Sequence, residues 1–130
     1  MIERNLAVVA EHIENEGRDP ASVMALYTDD IVLEIPGRRL RFEGKAPIEA
    51  NYRRMFGALD DVSLEPLDRF ASEDRVVDDM IVRFHLAREG MDNAPLPIGS
   101  DVALRLLHVF HMRDGLISRE IVHEQWSTTS

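Results

Sequence analysis

Residues 102–112, "VALRLLHVFHM", and 116–126, "LISREIVHEQW", are two long apolar runs separated only by "RDG". Runs of this length, rich in Val, Ile, Leu and Phe and hinged on Asp114-Gly115, specify an antiparallel hairpin. A third run, "RVVDDMIVRFHL" (75–86), alternates in the same way. Three such strands in succession commit the second half of the chain to a meander. "VSLEPLDRF" (62–70) adds a strand whose Pro66 belongs at an edge or a bulge, because proline has no N–H for a ladder. The stretch "MDNAPLPIG" (91–99) reads as a loop from its two prolines and Gly99.

The first half reads differently. Ile2, Leu6, Val9 and Ile13 recur at steps of three and four, the period of an amphipathic helix that Gly17 ends. His12 falls at the edge of that apolar stripe. Asp19-Pro20 starts a second helix, with Asp as N-cap and Pro in the first turn, running to about Tyr27 and burying Val23, Leu26 and Tyr27. "IVLEI" (31–35) is a short strand, turned by Pro36-Gly37, with "RRLRFEG" (38–44) as its return partner. A third helix begins near Ala46-Pro47, sets Ile48, Tyr52, Met55 and Phe56 at helical spacing, and stops at Gly57. Helices first and long strands afterwards give an α+β class.

A chain of 130 residues supports one domain, here 1–130, with a real core. Hydrophobic residues make up 45 % and charged ones 30 %, a globular profile. The net charge of −9 opposes non-specific nucleic-acid binding and docking to anionic membranes. There is no cysteine, which removes disulfides, thiolate catalysis and zinc–thiolate sites. The N-terminal apolar run of five residues is too short for a signal peptide or a span, so a cytoplasmic protein is expected.

The segments "ALYTDDIVLEIPG", "FEGKAPIEANYRRMF" and "HVFHMRDGLISREIVHEQW" together resemble the nuclear transport factor 2-like superfamily. That group includes ketosteroid isomerases, SnoaL-type polyketide cyclases and limonene epoxide hydrolase. The marks are a Tyr-x-Asp-Asp closing the second helix, a Gly-Lys opening the third, and an Asp-Gly-x-Ile hairpin near the end. The resemblance covers essentially the whole chain. It implies a cone: a curved, mixed but mainly antiparallel sheet wrapped around three helices, with a concave pocket. It also implies a homodimer through the sheet's outer face. Activity does not follow from it, because the fold hosts unrelated functions.

Carried over position by position, the resemblance places the isomerase base at Ile35, which cannot take a proton. The isomerase oxyanion pair falls at His12 and His108. The cyclase Trp-Asp pair falls at Ile121-Val122. Both usual Asp bases are thus replaced, by Ile35 and Val122. Of the hydrolase's strand Asp and Arg, Asp78 suits the Asp role, while Arg83 has the wrong parity.

Strand alternation sorts the remaining candidates. Leu104, Leu106, His108, Phe110 and Met112 share one face, and His111 lies on the other. His108 and His111 therefore do not converge on a metal, and no metal is expected. Nor does the sequence call for a cofactor. Asp78, Met80, Val82, Phe84 and Leu86 share a face. The hairpin leaves two registers open: a two-residue turn pairs His108 with Ile121, and a three-residue turn sets His108 opposite Glu120. One slip exchanges the faces. The resemblance favours the second, which turns Glu120, Val122 and Glu124 inward.

The expected site is a His108–Glu120 acid/base dyad with Asp78 or His12 polarising a substrate or water. A purely structural cross-strand pair is the alternative. Tyr27, Ile35, Tyr52, Met55, Phe56, Met80, Phe84, Phe110, Val122 and Glu124 are the expected ligand-binding or lining residues, although Glu124 also suits a solvated position near the C-terminus. Trp126 reads as an outer-face or dimer residue, and "RRLR" (38–41) as a salt-bridged hairpin rather than an anion site. The functional expectation is a cofactor-free isomerase, lyase, cyclase or hydrolase acting on a small, mostly apolar molecule. The alternative is a non-catalytic binding or dimerisation scaffold.

Overall fold

The structure is a computed structural model that describes residues 1–129. Its elements follow the expected order. Helix α1 covers Ile2–Asn15, α2 Pro20–Val23 and α3 Lys45–Gly57. The strands are β1 (Tyr27–Ile35), β2 (Leu40–Glu43), β3 (Leu59–Ala71), β4 (Arg75–Leu86), β5 (Asp101–Arg113) and β6 (Leu116–Thr128). They form one open sheet in the order β2-β1-β6-β5-β4-β3. The β1–β6 pair is parallel and every other pair antiparallel. The helices cover the concave face, giving the mixed α+β architecture expected.

Asp19 caps α2, its side chain accepting from the Ser22 N–H. The helix is shorter than its periodicity suggests: it stops at Val23, and a 3-10 turn covers Met24–Leu26. Tyr27 is the first residue of β1 rather than the last of a helix, paired with Ile117 of β6. Pairing with a long neighbouring strand outweighs weak helical propensity over one turn. Pro66 sits as expected, on an edge strand beside a bulge.

The concave wall is built from alternate positions. Val76, Asp78, Met80, Val82, Phe84 and Leu86 of β4 are all buried, as are Val102, Leu104, His108, Phe110 and Met112 of β5. Val9, Ile13, Tyr27, Ile48 and Tyr52 close the core from the other side. A fully buried side chain such as Phe110 contributes about 1.5–3 kcal/mol through the surface it removes from water.

The last hairpin takes neither of the two registers weighed from the sequence. Its turn has two residues, pairing Arg113 with Leu116. Asp114 and Gly115 both have positive φ, 54° and 76°, which matches the strand twist in a tight hairpin. The φ of Gly115 is what favours glycine there; the Arg4 side chain that a Cβ would meet is a flexible one that can move aside. A bulge then shifts the pairing between Met112↔Ile117 and His111↔Arg119, leaving Ser118 as the extra residue. Its hydroxyl donates to the His111 carbonyl. The bulge restores the inward face to Glu120, Val122 and Glu124, as expected. It also moves the partners: His108 lies opposite Val122, and Glu120 opposite Phe110. The expected direct juxtaposition of His108 and Glu120 is therefore corrected.

Trp126 is corrected as well. It shares the inward face of β6, opposite Leu104, and its ring packs edge-on against Phe84.

Candidate active site

Arg69, Asp78 and His108 occupy directly paired positions on β3, β4 and β5. This register lines up their side chains across three neighbouring strands. Arg69 Nε donates to Asp78 Oδ1 at 2.7 Å. Asp78 Oδ2 lies 3.2 Å from His108 Nδ1. Asp78 and His108 are buried, while Arg69 reaches partly into solvent. Asp78, not Glu120, is the partner of His108. Since Asp78 occupies Nδ1, the nitrogen left to His108 is Nε2, on a ring that lines the cavity described below.

Glu120 belongs to a second group. Its Oε1 accepts from the Tyr27 and Tyr52 hydroxyls, each at 3.1 Å, and lies 3.3 Å from His12 Nε2. His12 Nε2 is 2.6 Å from the Tyr27 hydroxyl, which is 2.7 Å from that of Tyr52. The other His12 nitrogen, Nδ1, has no hydrogen-bond partner and lies 3.3 Å from Glu16 Oε2. His12 is fully buried rather than at the edge of the stripe. Phe110 joins the two groups, stacking on His108 and presenting an edge-to-face contact to His12.

The charges follow from this packing. Burial works against the imidazolium of His108, but the Asp78 hydrogen bond and the Glu120 and Glu16 charges outweigh it and hold its pKa above the usual value. His12 shows the same balance, burial being overcome by Glu120 and Glu16. Asp78 is buried too, yet His108 and Arg69 keep its carboxyl below the ordinary range. Glu120 is likewise held low against burial, chiefly by His12. Burial and the Glu120 charge push both tyrosines well above their ordinary value.

A cavity of about 430 Å³ lies between the helices and the sheet. Of the expected lining residues, Ile35, Tyr52, Met55, Phe56, Phe84, Val122 and Glu124 reach it, with His108 and Glu120. Tyr27 and Phe110 do not; they are buried behind the wall. Asp78 and Met80 instead border a smaller hollow with Arg69. Ile35 and Val122 are apolar parts of the cavity wall.

Three polar residues escaped the sequence reading. Arg38 is buried and forks onto Glu124, donating through Nε to Oε1 at 2.9 Å and through Nη2 to Oε2 at 3.2 Å. Its Nη1 donates to the Asp92 carbonyl. Glu124 is therefore a buried ion-pair partner rather than a solvated residue, and Arg38 is not an ordinary member of a surface hairpin. No local signal marks a pair separated by 86 positions. Arg69 had no local mark either. Glu16 did: it stands four residues after His12 on the same helix face.

Among the described residues, His12, Glu16 and Glu120 also form a group of possible metal ligands. The two carboxylates stand on opposite nitrogens of His12, each 3.3 Å away. No helix among the described residues is long and apolar enough to cross a membrane.

The SnoaL-like domain family model matches residues 8–120. No curated protein matches the chain. Among solved structures, a nuclear transport factor 2-like protein of unknown function from Burkholderia pseudomallei is 20 % identical, with a TM-score of 0.76 over 94 % of this chain and 91 % of that one. An LEH-like epoxide hydrolase of M. tuberculosis is 18 % identical, with a TM-score of 0.72 over 95 % and 84 %. A protein of ketosteroid isomerase-like fold from Catenulispora acidiphila, in complex with trimethylamine, is 16 % identical, with a TM-score of 0.63 over 82 % and 75 %. At these identities the likeness is one of fold.

Proposed function

Because the chain belongs to the SnoaL-like domain family, we propose that its cavity takes up a small, mostly apolar molecule and performs acid/base chemistry on it, as an isomerase, lyase, cyclase or hydrolase. The observation that carries this reading is the buried His108–Asp78 pair, with the His108 ring on the wall of the 430 Å³ cavity. A carboxylate on Nδ1 fixes the ring's orientation and tautomer and leaves Nε2 for a substrate, the division of labour that histidine catalysis needs. The raised pKa of His108 favours imidazolium, so the ring's first act is to donate a proton or to stabilise developing negative charge. Asp78 acts through His108 and is a positioning residue, and Arg69 anchors its other oxygen.

Tyr52 and Glu120 contribute the second polar patch of the wall. Tyr52 is held protonated by its raised pKa and supplies a hydroxyl. His12 and Tyr27 sit behind them and set the protonation of that patch. Leu33, Ile35, Phe84, Leu104 and Val122 provide apolar surface, and Arg38 with Glu124 supplies a further polar point. Few polar groups on an apolar wall is the usual build of a small-molecule site. A fold neighbour holding trimethylamine and another described as an epoxide hydrolase support a small-molecule reading.

The second reading is a ligand-binding scaffold without turnover. It is favoured by the apolar Ile35 and Val122 on the cavity wall, where the family resemblance sets the usual bases. Homodimerisation through the outer face of the sheet, and a cytoplasmic location, accompany either reading.

The test is a screen of apolar ketones, epoxides and polyketide-like compounds against the protein and its His108→Gln variant. Turnover that falls by about 10²–10⁴-fold in the variant, with binding kept, supports acid/base catalysis. Binding without turnover in both selects the scaffold.

A further inference from the structure

Glu16 follows directly on α1 as its C-cap residue. Glu16 lines the same cavity as His108 but from the helix side, whereas His108 belongs to the sheet. Its side chain keeps 16 % exposure. Its Oε2 is 3.3 Å from His12 Nδ1, the nitrogen that no hydrogen bond satisfies. Across the same ring, His12 Nε2 is 3.3 Å from Glu120 Oε1, and Glu120 also lines the cavity. A buried imidazole thus stands between the carboxyl groups of two glutamates that both line one cavity.

We propose that Glu16 is the cavity's second proton-exchanging residue, joined through the His12 ring to Glu120, so that a ligand is protonated from the sheet wall by His108 and deprotonated at the helix wall by Glu16. This rests on the acid/base reading of His108 and deepens it. It selects, among the reaction classes, those that move a proton from one carbon or oxygen of the ligand to another. The proton balance closes without a co-reactant. The bond from the ligand to its departing hydrogen breaks, and its electron pair stays on the ligand. The Glu16 carboxylate takes that proton, while His108 Nε2 delivers another to a second ligand atom. Glu16 then gives that proton up to solvent at its partly exposed edge, while His12 and Glu120 behind it keep their charges. The ligand leaves as an isomer, the protein's net charge is unchanged, and exchange with solvent returns a proton to His108 as Glu16 loses its own.

The surroundings suit Glu16 to this. Burial pushes its carboxyl up to about 7, against the pull of His12, which lowers it. Glu120 from β6 and Asp78 from β4 raise it further, and His108 from β5 lowers it. Tyr27 and Tyr52 are uncharged neighbours of the group through Glu120. Arg18 also borders the cavity. A carboxyl group that titrates near neutrality exchanges protons in both directions at working pH.

The experiment is a carbon-detected NMR pH titration of the glutamate carboxyl groups in the full chain, with Glu16 assigned by Glu16→Gln. A Glu16 midpoint near 7, moving down in Glu120→Gln, supports Glu16 as the second proton-exchanging residue coupled to Glu120. A midpoint near the ordinary 4.5, or one indifferent to Glu120, overturns it. The wild-type midpoint alone decides if Glu120→Gln fails to fold. His108 ring protons, followed in the same samples, separate the outcomes. A raised His108 with an ordinary Glu16 sinks only the Glu16 assignment, and an ordinary His108 sinks the acid/base reading itself.

Discussion

His108 and Asp78 stand directly opposite each other on β5 and β4, with Nδ1 3.2 Å from Oδ2. The contact is buried, so it is not weakened by solvent as a surface pair would be. Everything proposed for the cavity depends on this one orientation of the imidazole.

Asp78→Asn keeps the shape of that contact and removes its charge. The His108 pKa, raised in part by the Asp78 hydrogen bond, is expected to fall toward or below 6.5. Proton NMR of the histidine rings reads this directly. On a turned-over substrate, the pH limb that requires imidazolium is expected to shift to lower pH with it. An unchanged His108 midpoint would disconnect the pair.

Stability is expected to peak on the acid side of neutrality. Asp78 is lower in the folded state than its ordinary 3.8, so its contribution holds above that value and is lost as pH falls through the folded one. Glu120, lowered from 4.5, behaves likewise. Glu16 runs the other way: its folded value of about 7 means that stability is full below 4.5 and drains as pH rises through 7. His12 and His108, both raised, stabilise the fold fully below 6.5 and lose that contribution as pH rises through their folded values. Urea unfolding from pH 3 to about 9 should therefore show its highest midpoint near 4.5, with a fall from there through neutrality. A midpoint still climbing above pH 7 contradicts this assignment of charges.

Arg38 and Glu124 form a buried pair in which each needs the other. Glu124→Leu or Arg38→Met alone leaves one charge buried without its partner and is expected to cost about 3–5 kcal/mol. The double variant is expected to recover much of that loss. Urea unfolding of the four proteins in a double-mutant cycle gives the coupling, and strictly additive losses would show that the pair is not one unit.

Leu107 is exposed on the outer face of the sheet, directly behind the wall that carries His108. If two copies pair through that face, the 14.8 kDa chain sediments at twice its mass. Leu107→Glu is then expected to release monomers with an unchanged far-UV spectrum. A wild-type protein that is monomeric across micromolar concentrations ends the dimer proposal.

The amino-acid sequence determined what local rules control. Alternation along 75–86 and 102–112 settled which residues face the core, and so placed Asp78 and His108 on the concave side. Asp19-Pro20, Pro66 and Asp114-Gly115 marked a cap, an edge and a turn because each residue type constrains its own backbone. The tertiary structure decided which inward residues meet. A bulge at Ser118 shifted the β5–β6 register, so that His108 lies opposite Val122, while the separate β4–β5 register set Asp78 of β4 beside His108. Arg38 found Glu124, and Arg69 found Asp78, only once distant strands and turns had packed. The physical reason is that facing is a property of one strand's pleat, whereas pairing depends on the offset between strands. A single extra residue changes that offset without disturbing the apolar pattern from which the faces are read.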